Sequence, residues 1–210
     1  IKNHKHLLIE KPIASNTSQA KKIVSAAKKA KVKLAVGHIE RFNPAVHALK
    51  DIIKKGYLGN IISVMARRVG VFPPQIKDAN VIIDLAVHDI DILNYLLDNK
   101  PTEIFACGRK VLTNQREDSA EIFLSYNGIT GFIQVNWITP VKIRILSITG
   151  SKGYAELNYI TQNLEIYESK YKKRVDDFGE FVIKFGETAK KTIKVRKREP
   201  LQVELESFVK

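Results

Sequence analysis

A polar stripe on an otherwise apolar segment carries the side chains best suited to acid–base chemistry. Residues 80–97 contain no glycine or proline and are apolar on almost every face, which is typical of a buried helix. Asp84, His88, Asp91 and Tyr95 recur at helical spacing, so a helix places them on one face. Buried ionisable groups are costly unless they are paired or face a wet cavity. One Asp–His pair tying a core helix to its neighbours would explain part of the pattern, but four polar residues favour a substrate pocket.

A second candidate site follows a short apolar run near the start of the chain. Residues 6–9 predict a buried parallel strand, which ends at Glu10-Lys11-Pro12. The residue before a proline is held extended, so Lys11 stays at the carboxyl end of the strand, where open α/β sheets bind ligands. A surface lysine beside a turn would show the same three residues.

Arg41 comes just ahead of a predicted helix start at Asn43-Pro44. The free N–H groups of that start favour an anion, which Arg41 could help to bind. A surface ion pair would explain Arg41 equally well. Asn43 has a sufficient role as the cap of the helix.

The elements that position these residues predict two architectures in succession. Two short apolar strands, 6–9 and 33–37, flank an amphipathic helix and form a βαβ unit with parallel strands. Two further helices then precede a series of strands between residues 104 and 159, joined by tight turns such as Asn127-Gly128. Strands joined in this way are antiparallel. The sequence therefore predicts an α/β unit followed by an α+β domain with a large, mostly antiparallel sheet, a hairpin extension at 170–191 and a final helix from Pro200.

The composition excludes several classes of protein. A hydrophobic content of 44% and a charged content of 27% are those of a globular protein, and no apolar run approaches the roughly 20 residues that span a bilayer. The single Cys107 excludes an internal disulfide and favours the cytoplasm. No zinc-site spacing occurs, so we expect no metal. The net charge of +13 suits nucleic acid, an anionic small molecule or a solvated lysine coat, but the basic segments lack interleaved aromatic residues apart from Tyr171.

Three motifs, in order along the chain, resemble the glucose-fructose oxidoreductase/inositol dehydrogenase (Gfo/Idh/MocA) family. They are Glu10-Lys11-Pro12 after a strand, residues 37–44 opening a helix, and Asp84-x-x-x-His88-x-x-Asp91 on a later helix. Four stretches are most similar to the UDP-N-acetylglucosamine 3-dehydrogenases of that family: 37–44, 68–74, 83–91 and 136–140.

The resemblance implies an N-terminal Rossmann domain that binds NAD or NADP. It also implies a substrate domain with an open sheet, whose outer face forms a homodimer or homotetramer. No Gly-x-Gly-x-x-Gly fingerprint occurs, so residues 1–38 would be only the last βαβ remnant of the cofactor domain. Residues 39–210 would be the substrate-binding and oligomerisation domain, truncated at its end. We therefore expect a piece of a longer protein that binds dinucleotide poorly and is inactive by itself.

The resemblance also implies roles for individual residues. His88 would be the general base, because an unperturbed imidazole pKa of about 6.5 suits neutral pH, and Asp84 would orient it. Lys11, in a cis bond to Pro12, would hydrogen-bond the reacting hydroxyl, and its ordinary pKa of about 10.4 makes it the weaker candidate for the base. The expected catalytic residues are thus Lys11, Asp84 and His88, the cofactor-binding residues Glu10, Lys11, Pro12, His38 and Arg41, and the substrate-binding residues Arg68 and Asp91.

The leading hypothesis is an NAD(P)-dependent oxidation of a secondary sugar hydroxyl, at C3 of a UDP-N-acetylhexosamine. The expected partner is a nucleotide sugar, with no nucleic acid and no membrane. Alternatives are an inositol or free-sugar dehydrogenase of the same family, a non-catalytic binding or oligomerisation module that kept the fold, and a nucleic-acid binder that exploits the positive charge.

Overall fold

A computed structural model describes residues 1, 3–76, 79–168, 171–175, 178 and 181–210. The chain divides into two compact units. The first contains Ile1–Asn43 and Arg198–Lys210, and the second contains Pro44–Lys197. The domain boundary after residue 38 stays a prediction.

The helices and strands alternate at first and then give way to a long run of strands. In chain order they are β1 (Leu7–Glu10), α1 (Thr17–Lys29), β2 (Leu34–Gly37), α2 (Pro44–Lys54), β3 (Ile61–Val69), α3 (Val87–Leu97), β4 (Glu103–Arg109), β5 (Ser119–Tyr126), β6 (Ile129–Asn136), β7 (Ile143–Gly150), β8 (Gly153–Asn158), β9 (Asn163–Glu168), β10 (Tyr171–Val175), β11 (Phe181–Phe185), β12 (Ala189–Ile193) and α4 (Pro200–Val209). A 3₁₀ helix, Ile39–Phe42, follows β2, and a π-helical turn, Ile82–Ala86, leads directly into α3.

The first unit is the predicted βαβ unit. Strands β1 and β2 run parallel, with Leu7 opposite Leu34 and Glu10 opposite Gly37. Helix α1 joins them, and the side chain of Asn16 caps it by accepting a hydrogen bond from the backbone N–H of Gln19. Helix α4 returns from the far end of the chain and contacts the 3₁₀ helix of this unit.

The second unit is built on an eight-stranded sheet in the order β12-β9-β8-β7-β3-β6-β5-β4. Of the neighbouring pairs that the structure describes in this sheet, β3 and β6 are parallel and the others antiparallel. Strands β10 and β11 form a separate antiparallel hairpin, as predicted, and its tip falls largely outside the described residues. The fold predicted from the sequence, a short parallel unit and a large, mostly antiparallel sheet, is confirmed.

Helices α2 and α3 cover one face of this sheet, called the inner face below. Helix α3 contacts β3 and β6, whereas α2 contacts β8 and β9. Side chains such as Ile122, Leu124 and Ile133 are buried on this face because alternate residues of each strand point toward the helices. None of the described helices is both long and apolar enough to cross a membrane.

Candidate active site

The predicted polar stripe lies on a continuous helical segment with an irregular start. Asp84 belongs to the π-helical turn, and His88, Asp91 and Tyr95 belong to α3. All four residues are partly buried, while Ile92, Leu93 and Leu96 on other faces of α3 are buried. The segment is therefore the helix with a polar face that the sequence predicts, except that its first turn is π rather than α. Such turns are frequent at functional sites.

Asn80 fixes the start of this helical segment. Its side-chain oxygen accepts a hydrogen bond from the N–H of Ile83 at 3.0 Å, and its amide donates to the carboxylate of Glu117 at 2.9 Å. Hydrogen bonds from its own backbone N–H and from Asn80 lower the pKa of Glu117. The carbonyl of Glu117 also accepts from the N–H of Val81 at 3.0 Å. Asn80 therefore anchors the segment that carries Asp84 and His88 to the residues preceding β5.

A buried ion pair, which the sequence did not predict, holds the first turn of α3. The Nε and Nη2 atoms of Arg68 in β3 donate to the two carboxylate oxygens of Asp89 at 2.8 and 2.9 Å. Both residues are almost fully buried, and the guanidinium carbon lies 4.9 Å from the centre of the Tyr159 ring. Arg68 thus has a partner within the fold, and its predicted contact with substrate stays a prediction.

In the first unit, the carboxyl ends of the two parallel strands carry the predicted cofactor-binding residues. Glu10 ends β1 beside Lys11, and His38 directly follows Gly37 at the end of β2. The Lys11–Pro12 peptide bond is cis, as the resemblance implies. Glu10 lies so close to Gly37 that a Cβ there would come within 3.1 Å of its Oε2 atom. Lys11 and His38 are partly buried, as is Arg41 in the 3₁₀ helix.

One charged residue of the first unit gave no signal in the sequence. Glu204 of α4 is 2% exposed, and neither carboxylate oxygen has a hydrogen-bond partner among the described residues. Burial, and then the negative charge of Glu10, raise the pKa of this carboxyl. The sequence shows only a glutamate in an amphipathic helix, which is usually a solvent-facing residue.

The structure thus groups the predicted residues into two sets. Glu10, Lys11, Pro12, His38 and Arg41 belong to the first unit, and Arg68, Asp84, His88 and Asp91 belong to the second. The resemblance implies that Lys11 and His88 act on the same hydroxyl group, and this stays a prediction. No group of three acidic, histidine or cysteine side chains among the described residues could hold a metal ion.

The first set fits part of a dinucleotide. A carboxylate, an ammonium and an imidazole at the carboxyl ends of adjacent parallel strands can hydrogen-bond amide and hydroxyl groups of a ligand. The glycine-rich turn that would hold the pyrophosphate does not occur in this sequence.

Two family models match the chain in consecutive segments. The GFO/IDH/MocA C-terminal domain matches residues 46–156, and the NAD-binding Rossmann-fold oxidoreductase family matches residues 1–38.

Two relatives illustrate the comparison with individual proteins. UDP-N-acetylglucosamine 3-dehydrogenase from Acidithiobacillus ferrooxidans is 28% identical over 162 residues, which cover 77% of this chain and 50% of the relative. Its solved structure, GnnA, superposes with a TM-score of 0.82 at 25% identity, covering 99% of this chain and 63% of that chain. Inositol 2-dehydrogenase from Salmonella typhimurium is 25% identical over 174 residues, which cover 80% of this chain and 52% of the relative.

The WlbA dehydrogenase from Bordetella pertussis, solved with NADH and UDP-GlcNAcA, shares the fold. Its TM-score is 0.67 at 24% identity, over 74% of this chain and 49% of that chain. The chain spans about half the length of the curated relatives that it matches.

Proposed function

The chain belongs to the Gfo/Idh/MocA family of NAD-binding oxidoreductases, and from this we propose that the whole protein oxidises a secondary hydroxyl of a sugar. We propose C3 of a UDP-N-acetylhexosamine as the position that is oxidised. The likeness to UDP-N-acetylglucosamine 3-dehydrogenase and the nucleotide sugar bound to the WlbA dehydrogenase support this substrate class. The observation that carries the proposal is the partly buried carboxylate–imidazole stripe of Asp84 and His88 on the helical segment beneath the sheet.

In the proposed reaction, His88 is the residue that takes the proton of the hydroxyl group. A free imidazole has a pKa of about 6.5, so this type of side chain can accept a proton near neutral pH. Asp84, one helical turn earlier, orients the ring and stabilises the imidazolium that forms. Lys11 donates a hydrogen bond to the reacting oxygen. NAD, when bound, supplies the nicotinamide that accepts the hydride from the sugar carbon.

Supporting residues surround this proposed reaction centre. We propose that the carboxyl ends of β1 and β2 face the nicotinamide end of the cofactor, and that Arg41 and Asp91 help to bind the nucleotide sugar. The residues proposed for the cofactor are Glu10, Lys11, Pro12, His38 and Arg41. The proposed location is the cytoplasm, on the ground that the sequence holds the single, exposed Cys107.

We further propose that a second copy of the chain covers the outer face of the large sheet. A row of four large apolar side chains crosses the neighbouring strands β3, β6, β5 and β4 on this face: Met65, Phe132, Phe123 and Phe105. Met65 is 53% exposed and Phe105 70% exposed. A row of large apolar side chains in water marks an interaction surface, and a homodimer or homotetramer would bury it.

A substrate panel tests the proposed function. The whole protein is supplied with NAD⁺ or NADP⁺ and with UDP-N-acetylglucosamine, myo-inositol or free N-acetylglucosamine, and the reduced cofactor is measured by its absorbance. We expect the highest kcat/KM for the UDP-sugar. A preference for myo-inositol would instead support the second candidate, to which the likeness to inositol 2-dehydrogenase points.

His88→Asn tests the assignment of the base within the same assay. Removal of a general base typically costs a factor of about 10²–10⁴ in rate. Near-normal oxidation by this variant would contradict the base assignment, and absence of activity in the wild type would favour a non-catalytic module.

A further inference from the structure

Asp89, the residue next to His88, forms with Arg68 the most buried charge pair that the structure describes. Arg68 and Asp89 are 5% and 1% exposed, and two hydrogen bonds of 2.8 and 2.9 Å join them. The aromatic face of Tyr159 lies against the guanidinium group at 4.9 Å. The pair ties the inner face of β3 to the first turn of α3.

Stability alone does not explain such a pair. Burying two charges costs desolvation energy that their attraction often fails to recover, and apolar replacements are frequently neutral or stabilising. Helix α3 already buries Ile92, Leu93 and Leu96 against the sheet. The pair contributes orientation, because the planar guanidinium group of Arg68 fixes both the distance and the angle of the Asp89 carboxylate that it binds.

Because Asp89 and His88 are consecutive residues of α3, the orientation of Asp89 also determines the orientation of His88. Consecutive residues of an α-helix point about 100° apart around its axis, so a fixed Asp89 also fixes the direction of the Cα–Cβ bond of His88. The turn just before α3 is π-helical and ends at Ala86. Asn80 holds the beginning of that turn, and Arg68 holds the α-helical register that follows it.

We propose that Arg68 and Asp89 are positioning residues, which hold the imidazole of His88 at the angle needed to take the proton of the substrate hydroxyl. The inference rests on the proposed function, because it assigns His88 as the base. On this inference Arg68 acts through Asp89 and does not itself bind the substrate.

Two variants of the whole protein test the positioning role. The double variant Arg68→Met/Asp89→Leu removes both charges together, so that no unpaired charge stays buried. Arg68→Lys keeps the positive charge but loses the bidentate hydrogen bonding to the Asp89 carboxylate. The matched control is Arg198→Met/Glu206→Gln, which removes an ion pair that is 38% and 42% exposed in its two side chains.

We expect a loss of kcat of about tenfold to a hundredfold in the double variant, with the KM for the sugar nearly unchanged, because small misplacements of a catalytic group cost this much. Arg68→Lys should give a smaller loss in the same direction. The melting temperature should stay near that of the wild type. In ¹⁵N-histidine NMR spectra, the signals of His88, assigned with His88→Asn, should change their chemical shifts and titration midpoint, whereas the control leaves them unchanged.

The outcomes separate this inference from the proposed function. A folded double variant with wild-type kcat and a wild-type His88 titration overturns the inference, even if His88→Asn is inactive. If the wild type oxidises none of the sugars, the proposed function fails, while the NMR titration still decides whether the pair sets the environment of the imidazole. If the wild type oxidises the sugar and His88→Asn is fully active, the base assignment is wrong and the positioning inference falls with it. If the double variant does not fold, Arg68→Lys decides: lost kcat with unchanged melting temperature supports positioning, and unchanged kcat and titration overturn it.

Discussion

The Nζ atom of Lys50 in α2 lies 2.6 Å from the Oδ2 atom of Asp98, the C-cap residue that follows α3. The same ammonium group donates to the backbone carbonyl oxygens of Tyr95 and Leu96 in the last turn of α3. Lys50 is 4% exposed, although lysine is almost never fully buried without a partner. A positive charge at a helix C-terminus complements both the helix dipole and its unsatisfied carbonyl groups. Lys50 therefore closes the carboxyl end of the helix that carries His88.

Lys50→Met should destabilise the protein by about 1–3 kcal/mol, because two carbonyl groups and a carboxylate lose their buried donor. Lys55→Met, at the exposed residue that follows the same helix, is the control and should change stability by less than about 0.5 kcal/mol. The measurement is the free energy of unfolding in guanidinium chloride. The hydrogen bond from Lys50 lowers the pKa of Asp98, so the carboxylate share of the effect is present above the ordinary pKa and disappears as the pH falls through the lowered one. Equal stability of the two variants would contradict the capping role.

The sequence contained part of this information. Lys50 is four residues after Val46, so it falls on the apolar stripe of α2, and a lysine in that position signals a buried partner. The partner could not be found, because it depends on the angle at which α2 meets α3. The same limit applies to Arg68 and Asp89. They are 21 residues apart on different elements, and only the packing of α3 on β3 brings them together.

The stripe of Asp84, His88, Asp91 and Tyr95 was predictable because it follows from helical spacing alone. The π-helical turn that contains Asp84 was not, because a shift from α to π leaves no mark on apolar periodicity over a single turn. The parallel pairing of β3 with β6 also lacked a signal. Tight turns identify neighbours in sequence, whereas the paired residues of these two strands, such as Ser63 and Thr130, are 67 positions apart (130 − 63).

Two glycines of the sheet should respond differently to alanine. A Cβ at Gly131 would lie 2.8 Å from the Cδ2 atom of Leu93, which can rotate away. A Cβ at Gly150 would overlap the backbone carbonyl oxygen of Leu58, which can move only with its chain. We therefore expect losses of about 1 kcal/mol for Gly131→Ala and about 3 kcal/mol for Gly150→Ala in chemical unfolding. Thr149→Ala, at the exposed residue beside Gly150, is the control, and a reversed order would contradict the packing described here.

The outer-face row should control assembly. Phe105→Glu places a charge at the β4 end of the row that a second copy is proposed to cover, and burying an unpaired charge is strongly unfavourable. We expect the Phe105→Glu variant of the whole protein to have a lower molar mass than the wild type, that of a monomer or a smaller oligomer. Light scattering after size-exclusion chromatography measures this molar mass. Ile160→Glu changes an equally apolar residue, 53% exposed in the turn between β8 and β9, and should leave the molar mass unchanged. An unaltered molar mass for Phe105→Glu would show that the oligomer, if any, uses another surface.

Tyr126 should make the protein sensitive to alkaline pH. The residue is 1% exposed, its hydroxyl donates to the Oδ1 atom of Asn94 at 3.0 Å, and burial raises its pKa to about 12. An unfolded tyrosine ionises near pH 10. Below that pH both states keep the proton, and between pH 10 and about 12 only the unfolded state loses it, so stability falls in this window.

Tyr126→Phe isolates this effect. Near pH 7 the variant should be less stable by about 1 kcal/mol, because the hydrogen bond to Asn94 is lost. As the pH rises from 10 to 12, the wild type should lose up to about 2.7 kcal/mol relative to the variant, which is the value of two pKa units. The order of stability should therefore reverse in guanidinium unfolding curves recorded across this range. Tyr57→Phe, at a position that is 59% exposed, is the control, and its free energy of unfolding should follow that of the wild type at every pH. If the free energies of Tyr126→Phe and the wild type instead differ by a constant amount from pH 10 to 12, the buried phenol ionises as easily as an exposed one.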